Sequence, residues 1–143
     1  MTKVPEYWNR AKKYLSKKDK TMSKLIRNYQ SPSEIILTSR KDIFFSLCKS
    51  IIGQQISVAA ADSVFLKFKE KCRNKINAQT VSKLTFSQIK KCGLSRLKVV
   101  GIKSLAKQFL DKTFNPKLIN RMDDEEAIKY LSNLRQIGRW SAE

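Results

Sequence analysis

Apolar residues recur at three- and four-residue spacing along almost the whole chain, and only the short Ile35-Ile36-Leu37 patch reads otherwise. The pattern predicts an all-α fold. A first helix is expected from near Pro5, a residue suited to the N1 position, with Trp8, Ala11 and Leu15 along one face. Asp19 can cap a second, in which Met22, Leu25, Ile26 and Tyr29 share a face before the Ser31-Pro32 break. A third runs from about Asp42 to Ile52 with Ile43, Phe44, Leu47, Cys48 and Ile51 inward, and Gly53 ends it. Ser57 caps a fourth, where Ala61, Val64, Phe65 and Phe68 repeat the spacing. Thr85 with Gln88 reads as a capping box for a short helix closed by Gly93, and Ser95 starts the next, burying Val99, Ile102, Ala106 and Phe109.

After Pro116, Asp123-Asp124-Glu125-Glu126 reads as a helix N-terminus rather than a metal site. Carboxylates in a first turn face the positive end of the helix dipole, and Ala127, Leu131 and Leu134 follow on one side. No repeat, linker or low-complexity tract interrupts the series. One continuous unit is therefore expected over 1–143, with N-terminal helices in 1–30, central helices in 42–111 and a last helical segment in 123–143.

Composition narrows the chemistry. The 143 residues contain no histidine, which removes triads, imidazole general bases and His-ligated metals. Cys48, Cys72 and Cys92 match no zinc or cluster spacing and cannot form a full disulfide set, so a reducing, cytoplasmic setting is expected, with no metal and no cofactor. Apolar runs fall far short of the ~20 residues of a membrane helix, and a content of 41% hydrophobic residues suffices for a core. The formal charge is +18, and residues 111–143 balance six basic against six acidic side chains, so all of the excess lies in residues 1–110. An excess of that size calls for a polyanion, nucleic acid before acidic lipid, although lysine so outnumbers arginine that a merely Lys-rich surface stays open.

Residues 131–143 read as helix, tight turn, helix start, with Gly138 supplying the turn. Main-chain N–H groups at the start of such a second helix can hold a phosphate oxygen without reading sequence, although an ordinary helix-helix corner has the same pattern. Leu134, Ile137, Gly138, Trp140, Ser141, Ala142 and Glu143 resemble the helix-hairpin-helix of the DNA-3-methyladenine glycosylase II family, within the helix-hairpin-helix glycosylase superfamily. Residues 50–62, Ser-Ile-Ile-Gly-Gln-Gln-Ile-Ser-Val-Ala-Ala-Ala-Asp, resemble that family's helix-loop-helix facing DNA. Gly93-Leu94-Ser95-Arg96-Leu97-Lys98 with Leu105-Ala106 resembles its next marker, and Tyr7-Trp8 with Asp19 to Ile26 resembles the short members, which lack an extra β-rich domain.

The resemblance implies hydrolysis of the N-glycosidic bond of alkylated purines, such as 3-methyladenine, after the nucleotide has turned out of the duplex. The partner is then double-stranded DNA containing alkylated bases, with a monomeric protein and no membrane. Trp140 is the candidate pocket wall, able to stack on a cationic base; an aromatic plug between hairpin and core is the alternative. Trp140 also stands where the strand-cleaving lyases of the superfamily carry their Lys nucleophile, which implies a monofunctional enzyme using water. Gln54 and Gln55 match the loop that probes the minor groove and fills the gap left by the flipped base, with solvated loop glutamines as the alternative. Ser57, Lys98, Gln136, Ile137, Gly138, Arg139 and Ser141 complete the expected DNA-binding set, with Arg96 a further phosphate candidate.

Two departures stand out. The family hairpin reads Gly-Ile-Gly, and Gln136 replaces the first glycine, where a side chain can restrict φ or crowd a phosphate. The family's catalytic Asp lies beyond the hairpin's second helix, and no residue up to Glu143 takes its role. The chain is therefore expected to be C-terminally incomplete, truncated within that helix, and inactive in hydrolysis. A non-catalytic helix-hairpin-helix DNA-binding module is the alternative; a helix-turn-helix regulator fits the Gln54-Gln55 loop poorly.

Overall fold

The computed structural model of the chain describes residues 5–29 and 42–143, and no strand occurs among them. The Ile35-Ile36-Leu37 patch and the Ser31-Pro32 break lie outside the described residues. Contacts divide the chain into two compact units, Met1–Lys41 and Asp42–Glu143.

In the first unit α1 (Trp8–Lys18) packs on α2 (Lys20–Asn28). Asp19 ends one and begins the other: its N–H donates to the Leu15 carbonyl at 3.0 Å and its carboxylate accepts from the Met22 N–H at 2.7 Å. Helix α1 starts at Trp8, later than expected. The Pro5 carbonyl accepts from the Trp8 N–H at 3.0 Å, so proline sits in a turn ahead of the helix and not at N1. No residue of α1 or α2 is buried.

The second unit is built around α7 (Arg96–Leu110), which packs against α3 (Ile43–Gly53), α5 (Ala78–Lys83) and α6 (Phe86–Lys90), with α4 (Val58–Lys71) lying on α3 and α6. Local chemistry fixes where these helices begin. Asp42, Ser57, Asn77, Thr85 and Ser95 each accept a hydrogen bond from a main-chain N–H of the first turn, and Thr85 with Gln88 closes the expected capping box. Helix α5 escaped the periodicity argument because six residues give one buried position, Val81. The core joins Ile51 and Ile52 of α3, Phe68 of α4, Ile89 of α6 and Val99, Ile102 and Ala106 of α7, all essentially inaccessible. Each large side chain in it contributes about 1.5–3 kcal/mol by leaving water.

A chain of rings carries the core outward to α8 (Asp124–Ser132): Phe44 meets Phe109 edge-on at 5.1 Å, Phe109 meets Phe114 at 5.1 Å, and Phe114 stacks on Tyr130 at 4.9 Å. The Tyr130 hydroxyl also accepts from the Asn115 N–H at 2.9 Å, ahead of a 3-10 turn over Pro116–Arg121. Asp123 and Glu126 form a reciprocal capping box, so the acidic cluster is the start of α8, as its sequence suggests. Among the described residues no helix is long and apolar enough to cross a membrane.

All three thiols are buried, and burial pushes each upward, Cys72 to about 11. A disulfide-exchange reagent at neutral pH is expected to label them only on unfolding; fast labelling of the native protein would contradict this burial. Ile102→Ala, at a fully enclosed position of α7, is expected to lower stability by about 2–5 kcal/mol in urea unfolding.

Candidate nucleic-acid interface

The corner between α3 and α4 is short and held from inside. Gln54 leaves α3 with φ −60° and ψ 133°, and the exposed Gln55 follows at φ 58°, in the left-handed region that side chains seldom adopt. Ser57 then starts α4 by accepting from the Ala60 N–H at 3.3 Å. From α7, the Lys98 ammonium donates to the carbonyls of Ile52 at 2.9 Å and Gln54 at 2.6 Å. Those carbonyls belong to the α3 C-terminus, where no helical donor remains and a cation is favoured. Desolvation lowers the Lys98 pKa, the mark of a cation turned into the protein. Lys98, expected at phosphate, is engaged by the corner itself.

The hairpin lies between α8 and α9 (Arg139–Ala142), with the side chains of Leu134 and Ile137 buried as its apolar anchors. Gly138 was expected to supply the turn, but its φ is −92°, and the left-handed residue is Gln136 at 68°. The substituted glycine position therefore keeps a glycine-like backbone while carrying a side chain. Room for that side chain comes from α7. A Cβ added to Gly101 would stand 2.7 Å from Gln136 Cγ and 3.2 Å from Gln136 Cβ, so Gln136 lies across a helix face left bare by glycine.

Gly138 serves differently. A Cβ there would meet nothing within 4 Å, and no side chain caps α9. The N–H groups of Gly138, Arg139 and Trp140 have no acceptor among the described residues, as expected of the first turn of a helix without a cap.

The two corners touch. Gln54 Nε2 donates to the Gln136 carbonyl at 2.7 Å and lies 3.4 Å from Ser141 Oγ, joining residues 82 and 87 positions apart. The acceptor-only carbonyl dictates that the amide nitrogen faces it.

The remaining expected residues divide. Trp140 is 91% exposed, which excludes an aromatic plug within these residues and leaves an uncovered indole beside the hairpin. Arg139 is occupied: its guanidinium grips Glu125 through two bonds of 2.6 and 3.0 Å and Glu143 through one of 2.8 Å. The hydrogen bond and charge of Arg139 hold the Glu125 carboxyl below its ordinary value, and both carboxylates raise Arg139 further. Ser141 and Gln136 take part through the Gln54 bond, and Gly101 is the participant that sequence reasoning missed. Its signal was a glycine inside an otherwise uninterrupted helix.

Buried apolar anchors, a second helix without a side-chain cap and an amide-bearing corner latched to it make up a helix-hairpin-helix. Residues 48–141 match the model of the HhH-GPD superfamily base excision DNA repair proteins. The chain belongs to that family. Among curated relatives, it is 27% identical over 127 residues to DNA-3-methyladenine glycosylase 1 of Schizosaccharomyces pombe, covering 87% of this chain and 54% of the relative. It is 30% identical over 151 residues to the DNA-3-methyladenine glycosylase of Saccharomyces cerevisiae, covering 96% and 51%. The chain thus spans about half the length of these relatives. A solved structure of the Schizosaccharomyces pombe 3-methyladenine DNA glycosylase in complex with abasic DNA superposes with a TM-score of 0.77 at 24% identity, over 93% of this chain and 66% of that one.

The fit of Gln136 across Gly101 makes a testable pair. Gly101→Ala is expected to destabilise by about 1–3 kcal/mol through overpacking. Adding Gln136→Gly should recover most of that loss, because it removes the colliding atoms. Thermal unfolding of the two singles and the double checks this, and additive effects would contradict the contact.

Proposed function

We propose that the protein is a base-excision DNA glycosylase that removes alkylated purines, and that these residues supply its grip on duplex DNA and its base-extruding corner. The observation that carries the reading is the direct contact of the Gln54-Gln55 corner with the hairpin, at 2.7 Å from Gln54 Nε2 to the Gln136 carbonyl. A hairpin that holds phosphate and a corner that enters the helix beside it must lie side by side, and here they are hydrogen-bonded.

The open N–H groups of Gly138, Arg139 and Trp140 suit a phosphate oxygen, since they are directed donors with no competing cap. The excess positive charge in residues 1–110 adds sequence-independent attraction. The exposed face of Trp140 suits an alkylated purine, whose positive charge favours stacking on an electron-rich ring by ~1–2 kcal/mol over a neutral base. With tryptophan rather than lysine at this position, no Schiff base can form there, and water is the nucleophile in this reading.

Hydrolysis also needs a carboxylate against the developing oxocarbenium ion. Glu125 and Glu143, the acids nearest the hairpin, are both committed to Arg139, while Asp123 and Glu126 cap α8. None of them is free for that task, and the resemblance looks for the acid beyond the hairpin's second helix. In this reading residues 1–143 bind and open the duplex as a monomer, and the chemistry requires that further acid.

Affinity of the 143-residue chain for undamaged duplex should fall with a log-log salt slope of about −4 to −5, as for neutralising ~4–6 phosphates. A nearly flat slope would overturn the electrostatic part. The 143-residue chain should bind duplex containing one abasic site more tightly than intact duplex, and equal affinity for the two would overturn the base-excision reading.

A further inference from the structure

We propose that Gln54 is a positioning residue, which couples the hairpin's hold on the DNA backbone to entry of the neighbouring Gln55 into the duplex. The inference rests on the DNA-binding reading above and assigns Gln54 a task distinct from touching the minor groove. Its amide is already used. Nε2 is half-buried between the Gln136 carbonyl at 2.7 Å and Ser141 Oγ at 3.4 Å, on either side of the uncapped start of α9. Its own carbonyl is held by Lys98 Nζ at 2.6 Å, and the same ammonium holds the Ile52 carbonyl at 2.9 Å. Gln54 is therefore fixed at both ends, main chain to α7 and side chain to the hairpin.

The consequence lies in the next residue. Gln55 is exposed and holds φ 58°, a conformation that an unconstrained glutamine leaves readily. Its direction is set by the residue before it and by the Ser57 cap after it. Gln136 is also left-handed, at φ 68°, and that twist turns its carbonyl toward Gln54. One strained main-chain residue, Gln136, thus accepts the bond, and the other, Gln55, directly follows the residue that donates it. If phosphate binding tightens the hairpin, the Gln136 carbonyl draws on Gln54 and the strained Gln55 turn is held in place. Without the bond, the two corners can each contact DNA with no agreement between them.

Gln54→Glu tests this, because glutamate keeps the shape while its carboxylate cannot donate to the Gln136 carbonyl. The 143-residue chain is compared with the variant by hydrogen exchange of the free protein and by affinity for intact duplex and for duplex with one abasic site. The expected result is faster exchange of the hairpin amides in 135–141, a fall in melting temperature of a few degrees, and a loss of about 5-fold or more in the preference for abasic over intact duplex, with the fold retained. Gln54→Met, also without a donor but uncharged, should lose the preference equally, which separates loss of the bond from added charge. Unchanged hairpin exchange in both variants, or an equal loss of affinity for both duplexes, overturns the coupling. If the parent chain binds neither duplex, the DNA-binding reading fails, and the exchange measurement still decides whether Gln54 holds the hairpin.

Discussion

A main-chain carbonyl turned inward at a tight corner needs a donor, and in this chain the donor comes from 82 positions away. Gln136 adopts the left-handed twist that its hairpin demands, and the Gln54 amide meets the carbonyl so presented. An unpaired, half-buried carbonyl would cost about 1–3 kcal/mol. The bond therefore fixes which corner the hairpin lies against, and most of the site follows from it. The Gln54-Gln55 corner, the bare start of α9 and the exposed Trp140 come to lie on neighbouring elements of the second unit.

Around that bond, the positive charges near the site are not equivalent. Lys98 satisfies the end of α3 and Arg139 bridges α8 to Glu143, so both spend their charge within the protein. In the proposed reading, the main-chain N–H groups of the hairpin are the directed phosphate donors and other lysines add diffuse attraction, so that position and steering fall to different groups, as suits binding to DNA without regard to sequence. The Arg139 bridge is exposed and contributes little to stability. Its effect is to orient α9 relative to the start of α8.

Much of the fold was legible because helix boundaries are written in short-range chemistry. Asp19, Ser57, Thr85 with Gln88, Ser95 and Asp123 each satisfy an N–H two or three positions on, so local sequence suffices to find them. The start of α1 at Trp8 lacks such a signal and was displaced, and α5 was missed despite its Asn77 cap because six residues give one buried position. The hairpin shows the other limit. Residue type places the turn at Gly138, whereas the left-handed residue is Gln136, for which Gly101 on α7 makes room and Gln54 on the facing corner supplies a donor. Neither compensation is near Gln136 in sequence. The same distance hid the internal roles of Lys98 and Arg139, whose side chains read as surface cations until their partners are seen.

In the proposed reading, the hairpin and the Gln54-Gln55 corner form one surface for one DNA site. Titration of the isotope-labelled chain with a short abasic duplex, followed amide by amide, tests it most directly. The amides of Gly138–Trp140 and of Gln55–Ser57 are expected to shift together and saturate at one common concentration. Shifts confined to lysine-bearing surfaces elsewhere, with both corners unmoved or saturating at different concentrations, would contradict it.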